Sequence, residues 1–280
     1  MNNKESILQT ADVALSYRSV VPENPRAAIL IVHGLSEHKG RYLQLQTELA
    51  EAGFSAWAYD QRGFGKSTGN RTDMADYHEL LSDLQKMVTR VREESRKLPL
   101  ILLGHSLGGA VMATYCIDNP KEAEGLILSA PAYEFFPLPK MTHFAGIFMY
   151  RLFPKVLIPY PTKKDGLSHD PKIARAFKHD PLVQSSGTSR FYHEFRRMNE
   201  HLREQADRIT LPTLILQGTA DATIVPSGAQ SLYDKIKSEK KQLIFYEGFY
   251  HEPFNEIGRE RVIVDVVSFI EKLLVLRTAI

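Results

Sequence analysis

Three side chains far apart in the sequence have the types and the order needed to make a nucleophile. Ser106 sits in "ILLGHSLGG", which begins at Ile101; Asp221 sits in "QGTADATIV"; and His251 sits in "YEGFYHEPF". A serine hydroxyl attacks only when a base within hydrogen-bond reach takes its proton, so Ser106 needs a histidine. His251 would be that base, and Asp221 would hold its tautomer and stabilise the imidazolium. A bare G-x-S-x-G is short enough to arise by chance. What gives it weight is its frame, with the strand-like "PLILLGH" before it and the helix-like "LGGAVMATYCI" after it. Gly104 and Gly108 leave room for the tight turn, and Gly109 lets the helix start close by. Either partner alone could be bland, Asp221 as a turn cap and His251 as a surface residue.

Attack on a carbonyl creates an oxyanion that needs two preorganised donors, each worth about 3–4 kcal/mol in the transition state. The N–H of Leu107, after the serine, is one. The other belongs in the loop after an early strand, "ILIVHGLSEH", and is assigned to Leu35. His33 precedes the serine and is read as a brace for that loop. "GFGKSTG" invites a phosphate-loop reading, but the glycine required five residues before Gly65 is Asp60. The segment is read instead as a fixed turn after a strand. No ligand spacing suggests a metal, and no metal or organic cofactor is implied.

Six apolar runs, "AAILIVHG", "FSAWAYD", "PLILLGHS", "AEGLILSAP", "LPTLILQG" and "KQLIFYEG", read as buried strands ending at turn residues. Helical patterns lie between them. In "DYHELLSDLQKMVTRVREE" the residues Tyr77, Leu80, Leu81, Leu84, Met87, Val88 and Val91 share one face. Alternation of this kind predicts an α/β fold, a mostly parallel sheet flanked by helices, with chemistry in loops at the carboxyl ends of the strands. Between about Phe135 and Arg208 no strand is evident. This span is read as a helical cap (135–207) inserted into a core formed by 1–134 and 208–280. Its first part, Phe135 to Pro161, is rich in aromatics and carries Lys140, Arg151 and Lys155, with Lys163 and Lys164 just beyond. Core packing accounts for part of this. The surplus suggests an acyl-chain tunnel or a surface that rests on lipid.

The bulk numbers exclude other classes. In 280 residues the net charge is +2, which gives no reason to expect nucleic acid. The lone Cys116 allows no intrachain disulfide and suits a reducing compartment. Neither a signal peptide nor a membrane-spanning run is read, so a cytoplasmic location, peripheral at the membrane if the cap adsorbs, is expected.

Taken together, "HGLSEHKGRY", "DQRGFGKS", "GHSLGG", "GTADATIV" and "YEGFYHEPFNE" resemble the monoacylglycerol lipase and lysophospholipase branch of the α/β-hydrolases. The resemblance implies an α/β-hydrolase fold, the triad Ser106, Asp221 and His251, the oxyanion pair Leu35 and Leu107, and a lipid ester as substrate. It also implies a cap that admits an acyl chain and holds a glycerol-like head. Glu37, Arg41 and His105 match head-group positions by motif, yet Glu37 and Arg41 could equally form an ion pair and His105 a spacer. Animal monoacylglycerol lipases have a tyrosine three residues before a D-P-L segment, where this chain has Phe177. Monoacylglycerol hydrolysis is the first expectation. Lysophospholipid and short-ester hydrolysis are alternatives, and a non-catalytic binding protein on the same fold is a rival from another class.

Overall fold

In the computed structural model, described for residues 1–135, 148–160 and 166–278, all six apolar runs become strands. These are β3 (Ala28–Val32), β4 (Ser55–Tyr59), β5 (Leu100–His105), β6 (Gly125–Ser129), β9 (Thr213–Gly218) and β10 (Lys241–Tyr246). They pair in parallel in the order β4-β3-β5-β6-β9-β10. Two further strands, β1 (Asn2–Gln9) and β2 (Ala14–Val21), add an antiparallel hairpin beside β4. That hairpin escapes a search for continuous apolar runs because β1 is an edge strand, largely exposed, beginning Asn-Asn-Lys-Glu.

Alternation along each strand divides the core in two. Leu30, Val32, Leu102, Leu126 and Leu128 pack on one face of the sheet, chiefly with the helices His78–Glu94 and Leu107–Asp118. Ile29, Ile31, Ile101, Leu103 and Ile127 pack with Leu45 and Leu49 of the helix Leu43–Glu51 and with Val262, Val266 and Ile270 of the helix Glu260–Thr278. Successive strand side chains point to opposite faces, so a sheet covered on both sides needs unbroken apolar strands. The helix Leu107–Asp118 lies deepest, with every residue from Leu107 to Ile117 buried. This is the α/β-hydrolase fold.

The span expected to lack strands contains a short antiparallel pair, β7 (Leu157–Pro159) and β8 (Ser186–Thr188). Three residues each leave too little pattern to read. The helices Pro171–His179 and Ser189–Gln205 stand before and after β8 in the same span. The second lays Phe191, Phe195, Met198 and Leu202 onto the cluster formed by His78–Glu94 and Leu107–Asp118, and its Asn199 donates to the Ala132 carbonyl. Phe136, Leu138, Lys140, Met141, Phe144, Ile147, Lys163 and Lys164 lie outside the described residues.

The turn after β4 is fixed by Asp60, whose carboxylate accepts from the Lys39 and Lys66 backbone N–H groups and from Lys39 Nζ at 2.9 Å. Both members of this ion pair are buried, with 2% and 0% of their side chains exposed, and Lys39 Nζ also donates to Ser16 Oγ. Removing one partner of such a pair strands the other charge. Asp60→Ala is therefore expected to lower unfolding stability by about 3–5 kcal/mol, measured by urea denaturation. A loss below about 1 kcal/mol would show that Lys39 finds water or another partner instead.

Candidate active site

The residues expected to do chemistry converge at the carboxyl edge of the sheet. Ser106 joins β5 to the helix Leu107–Asp118 with φ 51° and ψ −115°, a left-handed conformation costly for a residue with a side chain. The turn is over-determined by its neighbours. Ser106 N donates to Ser129 O, and Ser106 O accepts from Ala110 and Ala132. Backbone also crowds it: a Cβ on Gly104 would meet Gly108 O at 2.4 Å, and one on Gly108 would meet Val32 O at 2.2 Å.

Asp221 lies in the loop after β9 and His251 in the loop after β10. His251 Nδ1 donates to Asp221 Oδ2 at 2.8 Å, and Nε2 stands 3.1 Å from Ser106 Oγ, placed to accept its proton. All three residues are buried. Asp221 is fixed in turn by the Thr223 and Ile224 N–H groups on Oδ1 and by Gln217 Nε2 at 3.0 Å on Oδ2. The arrangement can move a proton from Ser106 to His251 while a fixed carboxylate stabilises the cation formed.

Leu107 opens the helix, where first-turn N–H groups have no intrahelical acceptor. Leu35 stands in the loop after β3, next to Ser36 with φ 72°. His33 braces that loop: its Nδ1 donates to Gly34 O at 2.7 Å and its Nε2 accepts from Gln61 N at 3.0 Å. Glu37 also holds it, accepting from Gly34 N at 2.6 Å and from the Tyr42 hydroxyl at 2.7 Å on Oε1.

Glu37 and Arg41 form a buried ion pair at 2.7 Å. Arg41 makes a second, bidentate pair with Glu252, both contacts 2.7 Å. Phe177, itself buried, lies over the guanidinium with its ring centre 4.9 Å away. His105 donates from Nδ1 to Ser129 O at 3.1 Å, and its ring centre is 4.9 Å from that of His251.

Comparison with known proteins places this geometry. Residues 23–258 match the hydrolase family described as serine aminopeptidase, S33. The chain belongs to this family. Among similar proteins, a monoacylglycerol lipase of Mycolicibacterium smegmatis is 30% identical over 96% of both chains. The human monoglyceride lipase is 30% identical over 83% of this chain and 78% of its own. The crystal structure of a Paleococcus ferrophilus monoacylglycerol lipase superposes with a TM-score of 0.81 at 28% identity, covering 91% of this chain and 99% of that one.

In this S33 chain two residues beside the site were not legible from motifs. Gln217 is the last side chain of an apolar strand, and its contact with Asp221 follows from a strand-end position that no spacing rule marks. Glu252 adjoins His251 in sequence, but its partner Arg41 is 211 residues away.

Electrostatics favour a cationic His251. Burial alone would lower its pKa, but Asp221, with Glu252 and Glu37 behind it, raises it above the ordinary 6.5. His105 is pushed the other way, to about 4, by burial and by His251 itself, so it is neutral at pH 7. Burial would likewise raise Asp221, but the His251 imidazolium and its hydrogen bonds hold it below the ordinary carboxylate range. Neutral His251 is the basic form, so reactivity of Ser106 should fall as pH drops through the raised pKa. Labelling of Ser106 by a fluorophosphonate is expected to show an acid midpoint above 6.5. Asp221→Asn should move that midpoint down and slow labelling on the order of 10³–10⁴-fold. A midpoint that stays in place in the variant would mean that Asp221 does not set the histidine's charge.

Proposed function

We propose that this protein is a serine esterase that hydrolyses monoacylglycerols through an acyl-enzyme. The observation that carries the reading is the continuous relay from Ser106 Oγ through His251 to Asp221, at 3.1 Å and 2.8 Å. The names of its 30%-identical relatives supply the substrate class.

In this reading Ser106 Oγ attacks the ester carbonyl as His251 Nε2 takes its proton. The N–H groups of Leu35 and Leu107 hold the tetrahedral oxyanion, where donors fixed in advance are worth more than water. His251 then gives its proton to the departing glycerol oxygen. Water, deprotonated by the same histidine, attacks the acyl-Ser106 ester and releases the fatty acid. Neutral His105, with Nδ1 committed to Ser129 O, keeps a lone pair on Nε2 that suits a substrate hydroxyl. Glu37, Arg41 and Phe177 form the wall on that head-group side.

In this reading the described residues 148–160 and 166–207 serve as a cap over the carboxyl edge. Phe148, Leu152, Phe153, Val156 and Leu157 are all exposed, from 39% to 61%, with Arg151 and Lys155 among them. Apolar and basic groups interleaved on one surface suit adsorption to a lipid interface, where the substrate resides. Among the described residues no helix is long and apolar enough to cross a membrane. The buried, lone Cys116, its thiol pushed up to about 12 by burial, suits a reducing cytoplasm.

Lysophospholipid hydrolysis is the second reading. It rests on Phe177, which brings no hydroxyl to the head-group side. Fatty-acid release from 1-monoacylglycerols, lysophosphatidylcholine and a short-chain ester separates the two readings. Monoacylglycerols are expected to be turned over fastest, and Ser106→Ala to reduce release by at least about 10³-fold. Preference for lysophosphatidylcholine would overturn the head group and leave the relay in place. Release near wild type in Ser106→Ala would overturn the mechanism. For the interface, Phe153→Asp with Leu157→Asp should weaken co-sedimentation with anionic vesicles and spare hydrolysis of a soluble short ester. Unchanged sedimentation would remove the cap surface from the reading.

A further inference from the structure

We infer that Glu252 is a positioning residue, which with Arg41 and Glu37 forms a buried charged strut locking the oxyanion loop to the loop that carries His251. The inference rests on the proposed esterase mechanism, because it concerns where that mechanism's donor and base are held.

The strut begins at the backbone of the loop after β3. Glu37 Oε1 accepts from Gly34 N at 2.6 Å, which fixes the His33–Gly34 peptide, one peptide before the one that carries the Leu35 N–H. The fit is close: a Cβ on Gly34 would lie 2.9 Å from Glu37 Oε1 and 3.2 Å from Ser106 Cβ. Glu37 Oε2 binds Arg41 Nη1, and Arg41 crosses to Glu252 with two parallel bonds. A planar guanidinium facing a carboxylate through two bonds fixes angle as well as distance. Glu252 is held at its own end by Asn255 Nδ2 at 2.8 Å and by its N–H on Leu167 O at 2.9 Å. Glu252 follows His251 directly, so the strut runs from the residue before one oxyanion donor to the residue after the base.

Burial makes this link stiff. The side chains of Glu37, Arg41 and Glu252 are 3%, 10% and 5% exposed, and the Phe177 ring closes over Arg41. Each charge has its partner only while both loops stay in register. Displacing either loop would strand a charge away from water, which is costly. The same residues matter electrostatically. Two carboxylates and one guanidinium carry a net charge of −1 beside the imidazole. Among the described residues, Asp221 in the loop after β9 and His105 at the end of β5 also face His251.

Glu252→Gln keeps the shape and removes the charge, and it tests both roles. In the folded variant, hydrolysis of a soluble monoacylglycerol is expected to lose about 10–100-fold in kcat, the scale of a misplacement near 1 Å. KM should stay within about threefold, since the residue touches no substrate. The acid limb of kcat/KM should move to lower pH, because a lost negative charge destabilises the imidazolium. A purely structural residue would leave that limb in place. Glu252→Asp keeps the charge and shortens the reach, so kcat should fall with the acid limb unmoved, and this variant carries the test if Glu252→Gln does not fold. Wild-type kcat and wild-type acid limb in either folded variant would overturn the inference. Failure of the esterase reading would look different: wild type itself would neither release fatty acid nor be labelled at Ser106.

Discussion

The site depends on one contact of backbone against backbone. The helix Leu107–Asp118 starts so close to β5 and β3 that Gly104 and Gly108 have no room for a Cβ, with carbonyl oxygens 2.4 Å and 2.2 Å from where it would sit. That approach forces Ser106 to φ 51°. A residue in that conformation puts its side chain above the sheet edge instead of alongside a strand, and the strain persists because hydrogen bonds on both sides hold it. The deeply buried helix behind it cannot yield. The position of Oγ is thus fixed by the sheet, and the other loops have only to reach it.

They reach it from three separate strand ends, and each is tied down by a different device. The loop after β3 is held by His33 and by the buried Glu37 carboxylate. The loop after β9 is held by Asp221, which caps its own turn through Thr223 and Ile224 N–H while offering its second oxygen to His251. Because burial removes water from all of these groups, each charge must be met by another. Glu37 shows the balance. Burial alone would raise its carboxyl, yet Arg41 beside it holds it well below the ordinary carboxylate range. The charges that make the loops rigid are the same charges that surround the base.

Much of this was legible in the sequence, for reasons that differ by element. The six strands buried on both faces announced themselves as continuous apolar runs, and the order serine, acid, histidine at three strand ends followed from the fold they imply. The hairpin β1–β2 was not legible by that test, since an edge strand facing water need not be apolar. The three-residue strands β7 and β8 were too short to carry a period. The helix Ser189–Gln205 has the amphipathic pattern of any half-buried helix, which says that one face packs without saying on what.

The pair Glu37 and Arg41 marks the limit of motif reading. A spacing of four residues brings two such side chains together whether they bind a substrate or each other. What separates the two meanings is a third group, Glu252, which takes both η nitrogens of the guanidinium. No local spacing encodes that contact, because it exists only once β3 and β10 have taken their places in the sheet. A charged motif at a strand end is therefore best read by asking which of its polar atoms the fold has already used. Arg41 has given its η nitrogens to carboxylates, and Glu37 has filled both oxygens with protein donors. The bonds they already make tie both side chains to the loops they hold in place.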